Sequence, residues 1–128
     1  MRVVIVLAAL AALLAPTAGA ASKTGFEFGR VGGNIRPFTI AIANSGRVTA
    51  TGAAPTHAAA ITKQQLANLN RIAFEIDFAR LPAVTSCPHT LPDVAAQFIR
   101  VGGRTVRIHG SCSHRFNRLW AALNKTVG

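Results

Sequence analysis

Hydrophobic residues alternate with small or polar ones at five places in this chain, and in two other stretches they recur every three or four residues. The first alternation is Phe26-Glu27-Phe28-Gly29-Arg30-Val31, with Phe26, Phe28 and Arg30 on one side. After a Gly32-Gly33-Asn34 turn, Pro37 opens a second run in which Phe38, Ile40 and Ile42 point one way and Thr39, Ala41 and Ala43 the other. A period of two is what a half-buried strand requires. Asn44-Ser45-Gly46 fits a three-residue hairpin loop with Gly46 in the left-handed position. That turn sets Val48 opposite Ile42 and Ala50 opposite Ile40, so the apolar faces agree.

Thr62 then starts a helix. Its spacing to Gln65 is that of a capping box, in which the threonine oxygen and the glutamine side chain satisfy each other's orphan N–H groups. Leu66, Leu69, Ile72, Ala73 and Ile76 follow at helical spacing, and the helix is expected to end near Asp77. Residues 83–93, punctuated by Pro88 and Pro92, read as a loop. Two further alternating runs flank Gly102-Gly103, a dipeptide suited to the positive φ angles of a type I′ turn. Pairing Val101 with Arg104 places Ile99 opposite Val106 and Gln97 opposite Ile108. Ile99, Val101, Val106 and Ile108 then share an apolar face, and Phe98, Arg100, Thr105, Arg107 and His109 a basic one. Ser113 caps a last helix, to about Lys125, whose stripe is Phe116, Leu119, Trp120 and Leu123. The pattern predicts an α+β fold: a five-stranded antiparallel sheet, elements in the order βββ-α-ββ-α, with two helices packed on one face and the other face open to water.

The N-terminus changes the compartment in which this fold is read. Arg2 precedes an uncharged apolar run, Val3 to Ala15, followed by small residues up to Ala20. This is the form of a signal peptide over residues 1–20, with a single domain over residues 21–128. The run is shorter than the roughly 20 residues that span a bilayer, so no stable membrane span is expected after cleavage. A secreted or periplasmic protein follows, and in an oxidising compartment Cys87 and Cys112, the only cysteines, are expected to form a disulfide.

The formal net charge is +10, from 14 basic and four acidic side chains. No acidic residue follows Asp93, while Arg100, Arg104, Arg107, Arg115, Arg118 and Lys125 do. Such a balance suits an anionic envelope polymer, although arginine-rich composition alone can produce it. Phe98, Arg100 and Arg107 form a candidate anion-binding face, the ring for stacking and the guanidinium groups for phosphate or carboxylate. A cation–π pair between Phe98 and Arg107 is the plainer reading. Export argues against nucleic acid as a partner.

Cys87-Pro88-His89 and Cys112-Ser113-His114, with His109 nearby, supply the donor types of a zinc or copper(I) site. Their spacing is unlike that of zinc modules, and oxidation competes for the thiolates, so the disulfide is preferred and no cofactor is expected. Ser111, Ser113, His114 and Asp93 include the residue types of a catalytic triad, but no nucleophile motif surrounds them. Glu75 and Asp77 are two apart on a helix and do not face each other. No catalytic residue is assigned, and the chain reads as a non-enzyme. Three functions remain: a secreted binding or accessory domain contacting an anionic polymer; an extracellular hydrolase inhibitor that uses the Pro-rich loop from Cys87 to Pro92, held by the bridge; and, third, a metal-binding protein that uses its Cys and His residues.

The stretch from Phe38 to Gly128 is similar to small exported bacterial domains of unknown function. The likeness rests on the Asn-Ser-Gly turn followed by Arg47-Val48-Thr49, the helix opening Ile61-Thr62-Lys63-Gln64-Gln65-Leu66, the exit Asp77-Phe78-Ala79-Arg80-Leu81-Pro82 and the hairpin around Gly102-Gly103. The resemblance implies an α+β fold and brings no site residues with it.

Overall fold

The computed structural model describes residues 24–128; the expected signal peptide, residues 1–20, lies outside them. Strands β1 (Thr24–Val31), β2 (Phe38–Ala43) and β3 (Val48–Gly52) are followed by helix α1 (Lys63–Glu75) and a 3-10 turn, Phe78–Arg80. Then come β4 (Val84–Ser86), β5 (Ala96–Val101), β6 (Arg104–His109) and helix α2 (His114–Val127). One sheet has the order β3-β2-β1-β5-β6-β4.

The expected count of five antiparallel strands is corrected to six in a mixed sheet, because β4 pairs in parallel with β6. The three residues of β4, Val84–Ser86, are too few to show a period of two. Their partner lies about twenty residues further on, so nothing local marks them as a strand. The other registers are those the apolar pattern dictates: Ile42 opposite Val48 and Ile40 opposite Ala50, Val101 opposite Arg104 and Ile99 opposite Val106. The Asn44-Ser45-Gly46 loop closes as a tight turn, Gly46 N donating to Ala43 O at 2.8 Å. At the β5–β6 turn, however, positive φ falls on Gly102 alone of the glycine pair, the sign pattern of a type II′ rather than a type I′ turn.

The inward side chains of the sheet, among them Phe26, Phe28, Ile40, Ile42, Ile99, Val106 and Ile108, form one buried cluster with Leu69, Ile72 and Ile76 at α1 and Phe116, Leu119 and Leu123 of α2. Both helices therefore cover the same face. Trp120 sits half-buried at the margin of this cluster, edge-on to Phe28 at 5.7 Å between ring centres and stacked with Phe116 at 6.1 Å. The Arg30 guanidinium lies 5.7 Å from the Trp120 ring centre, which covers the indole while keeping the charge in water.

Helix α1 begins with the expected capping box: Gln65 N donates to Thr62 Oγ1 at 3.1 Å and Thr62 N to Gln65 Oε1 at 2.8 Å. Ser113 caps α2 by accepting from Phe116 N at 3.2 Å. The two helices are tied by charge as well as packing. Arg115 Nε donates to Ile76 O at 2.6 Å and its terminal nitrogen to Asp77 O at 3.0 Å, which satisfies carbonyls left over at the end of α1. Glu75 accepts from Arg71 within α1 at 2.5 Å and from Arg118 of α2. Arg115 and Arg118 are thus cross-links between helices, not the merely solvated face that their spacing suggests.

The hydrogen bond from Arg118, then that from Arg71, hold the Glu75 carboxyl below its ordinary value of 4.5. A carboxyl whose folded-state pKa is depressed contributes stability that is whole above the unfolded value and is lost as pH falls through the folded one. Denaturant unfolding followed from pH 6 to pH 3 is expected to show a smaller acid-induced loss for Glu75→Gln than for the unaltered chain. Equal losses would contradict this role.

Candidate functional site

The segment that follows β4 leaves the sheet as an exposed loop and returns at β5, and its backbone is fastened along its length. Cys87, buried at the base, donates its N–H to His109 O at 2.8 Å, continuing the β4–β6 ladder. Its sulfur is bonded to that of Cys112, with 5.7 Å between the Cα atoms, and accepts from Cys112 N at 3.1 Å. Thr90 Oγ1 donates to Cys87 O at 3.0 Å. Val94 N donates to Leu91 O at 3.1 Å, and Asp93 O accepts from Asn34 N at 3.1 Å. The His109 Nε2 lies 2.8 Å from Val94 O; since a carbonyl only accepts, Nε2 carries the proton there. Three other segments therefore hold the loop, β6, the β1–β2 turn and Cys112 just before the cap of α2, in addition to the bonds within the loop itself.

The bridge does not simply close the β5–β6 hairpin, the geometry suggested by two cysteines flanking it. It joins the exit of β4 to the residue before the cap of α2. Gly110 makes this possible. Its φ is +107°, and a Cβ there would stand 2.5 Å from Cys87 Cβ and 2.4 Å from Thr90 Oγ1. Above this base the loop presents Pro88, His89, Leu91 and Pro92 to solvent. Leu91 is 64% exposed and Val94 44%. His89 has φ +60°, a conformation in which histidine is several-fold enriched among non-glycine residues. A groove of about 660 Å³ runs along the loop beside the bridge, between Ile35 and Cys112.

Phe98, Arg100 and Arg107 do share the uncovered face of the sheet. Phe98 is directly opposite Arg107, and Arg100 is opposite Glu27 of β1. Phe98 is half-buried, whereas Arg100 and Arg107 are exposed. Neither arginine is among the ion-paired cations of the described residues, which are Arg71, Arg80 and Arg118. The cation–π contact found among the described residues is Arg30 with Trp120, which lies on the helix-covered side and not at Phe98.

The residues considered for metal are placed differently. Both sulfurs are committed to the bridge, and among the described residues no three His, Cys, Asp or Glu side chains gather in one place. His109 braces Val94. Of the hydroxyls and acids considered for a triad, Ser113 is occupied as a helix cap, and Asp93 contributes its carbonyl to Asn34. The braces from His109, Asn34 and Gly110 were not readable from spacing, because each joins segments that only the folded sheet brings together.

Gly110→Ala is expected to cost at least about 1–3 kcal/mol, since it adds the strain of a disfavoured backbone angle to a contact with Cys87 that cannot relax. Chemical denaturation with the bridge intact measures it, and a variant as stable as the parent would contradict the packing described. Comparison of the chain with protein-family models, with curated proteins and with solved structures found no match, so the likeness to exported bacterial domains rests on its motifs alone.

Proposed function

We propose that this chain is an exported, non-enzymatic binding domain that offers its Cys87–Val94 loop to another secreted protein, and that its activity is inhibition of an extracellular hydrolase. One observation carries the reading: a loop with exposed Pro88, His89, Leu91 and Pro92 is braced at both ends and in its middle. Ordering a loop or a long side chain on binding costs about 0.5–1.5 kcal/mol per immobilised group. A loop already ordered by covalent and hydrogen bonds loses little more. Leu91, exposed at its crest, has the size and polarity of an interface anchor that fills a pocket on a partner. Two prolines limit the alternatives open to the backbone, and the bridge would keep a cleaved or strained loop in place within a hydrolase cleft.

A second reading has its own support. The open face carries Arg100 and Arg107 without ion-pair partners among the described residues, in a chain of net charge +10. Contact with an anionic envelope polymer through Phe98, Arg100 and Arg107 would be electrostatic and therefore salt-sensitive.

A panel of secreted serine, cysteine and metalloproteases separates the two. The oxidised protein is expected to inhibit at least one member saturably, and Leu91→Asp to weaken that inhibition about tenfold or more, equivalent to about 1.4 kcal/mol. No inhibition and no stable complex across the panel would remove the inhibitor reading. Retention on an acidic polysaccharide that falls with added salt and with Arg100→Gln would then favour the second.

A further inference from the structure

At the end of the open face nearest the loop, a separate cleft of about 360 Å³ lies between β4, β6 and the residues returning to β5. We propose that this cleft binds a small organic carboxylate with an apolar body, such as a single ring or a short alkyl chain. This goes beyond the loop and polymer readings, and it rests on the make-up of the walls.

One arginine lines the cleft, Arg107 from β6, directly opposite Val84 of β4, while Ser86 lies opposite His109. The Arg107 guanidinium is exposed and has no ion-pair partner among the described residues. No carboxylate residue lines this space; the nearest candidate in the loop, Asp93, lines the groove on the loop's other flank. His109 also contributes to the wall, but its Nε2–H is directed at Val94 O at 2.8 Å. That bond fixes the ring and commits its Nε2–H to the loop, so Arg107 is the arginine available to a ligand there.

Val31, Val84, Pro92, Val94 and Ala96 supply the apolar part of the walls, which they share with polar Thr85 and Ser86. Val84 is 70% exposed and Val94 44%, and both line the cleft together with Ala96. Exposed valines that line a cleft lose water when a hydrocarbon body fills it. The volume is at the small end of the range for ligand pockets, roughly 300–1,000 Å³. Arginine is the donor best matched to a carboxylate, because its planar fork can meet both oxygens at once. An arginine without an ion-pair partner among the described residues, with exposed valines lining the same cleft, thus suits a carboxylate that carries hydrocarbon.

The test is an amide-resolved NMR titration of the oxidised protein with benzoate and hexanoate. Benzyl alcohol serves as the neutral analogue and acetate as the carboxylate without a body. Benzoate or hexanoate is expected to saturate with Kd below about 1 mM, shifting amides of Val84, Ser86, Ala96 and Arg107. Acetate and benzyl alcohol are each expected to bind about tenfold more weakly or worse. Arg107→Gln should weaken binding at least about tenfold, Arg107→Lys should give an intermediate value, and Arg100→Gln should leave it unchanged. Retention on an anionic polymer, by contrast, would fall with Arg100→Gln as well as with Arg107→Gln, so failure of one proposal is distinguishable from failure of the other. Shifts that do not saturate, equal binding of benzyl alcohol, or unaltered binding by Arg107→Gln with its amide dispersion intact would each overturn the proposal.

Discussion

The bond between Cys87 and Cys112 is the constraint on which the β4 edge and the loop that follows it depend. It spans a sequence separation of 25 residues, for which chain-entropy arguments give about 3–4 kcal/mol. A domain of this size has roughly 5–15 kcal/mol in all. More telling is where the bond sits. Strand β4 has three residues and one hydrogen-bonded neighbour, β6, so its ladder contributes only about 1 kcal/mol net per bond. Without a tie beyond the ladder, such an edge would belong to the parts of a protein that open most readily. The bridge fastens its exit to the segment that caps α2, and the loop after it inherits that order.

The rest of the sheet supplies a rigid base by ordinary means. Phe26 and Phe28 of β1 occupy the middle of the buried face, flanked by Ile40 and Ile42 on β2 and Ile99 on β5. Helices α1 and α2 close that face together, held to each other by Arg115 at the end of α1 and by Arg118 on Glu75. Because both helices are on one side, no described helix covers the other, and the exposed cations Arg100 and Arg107 remain there. The braced loop, the open basic face and the small cleft at their junction are all consequences of this one-sided arrangement.

Much of this was legible in the sequence, and the reason is local. Strand registers followed from apolar alternation and the Asn44-Ser45-Gly46 and Gly102-Gly103 turns, since a slip of one residue would turn Ile99 and Val106 out of the core. Helix starts followed from Thr62 with Gln65 and from Ser113. Strand β4 was not legible, because it is shorter than any period can be counted over and its partner is distant in sequence. The same distance hid the contacts of Arg115 with Ile76, of His109 with Val94 and of Asn34 with Asp93. The Gly-Gly turn was recognised as a turn but its type was not, since two glycines permit either sign of φ at the second position.

Native-state hydrogen exchange, with the bridge intact and after reduction and alkylation, tests the central claim most directly. The account predicts that the amides of Cys87, Val94, Arg107 and Cys112, which donate at the β4–β6 junction, in the loop and to the bridge, lose protection on reduction, while those of Phe28, Ile40 and Ile99 in the middle of the sheet keep theirs. Unchanged protection around Cys87, or a uniform loss across the whole sheet, would contradict it.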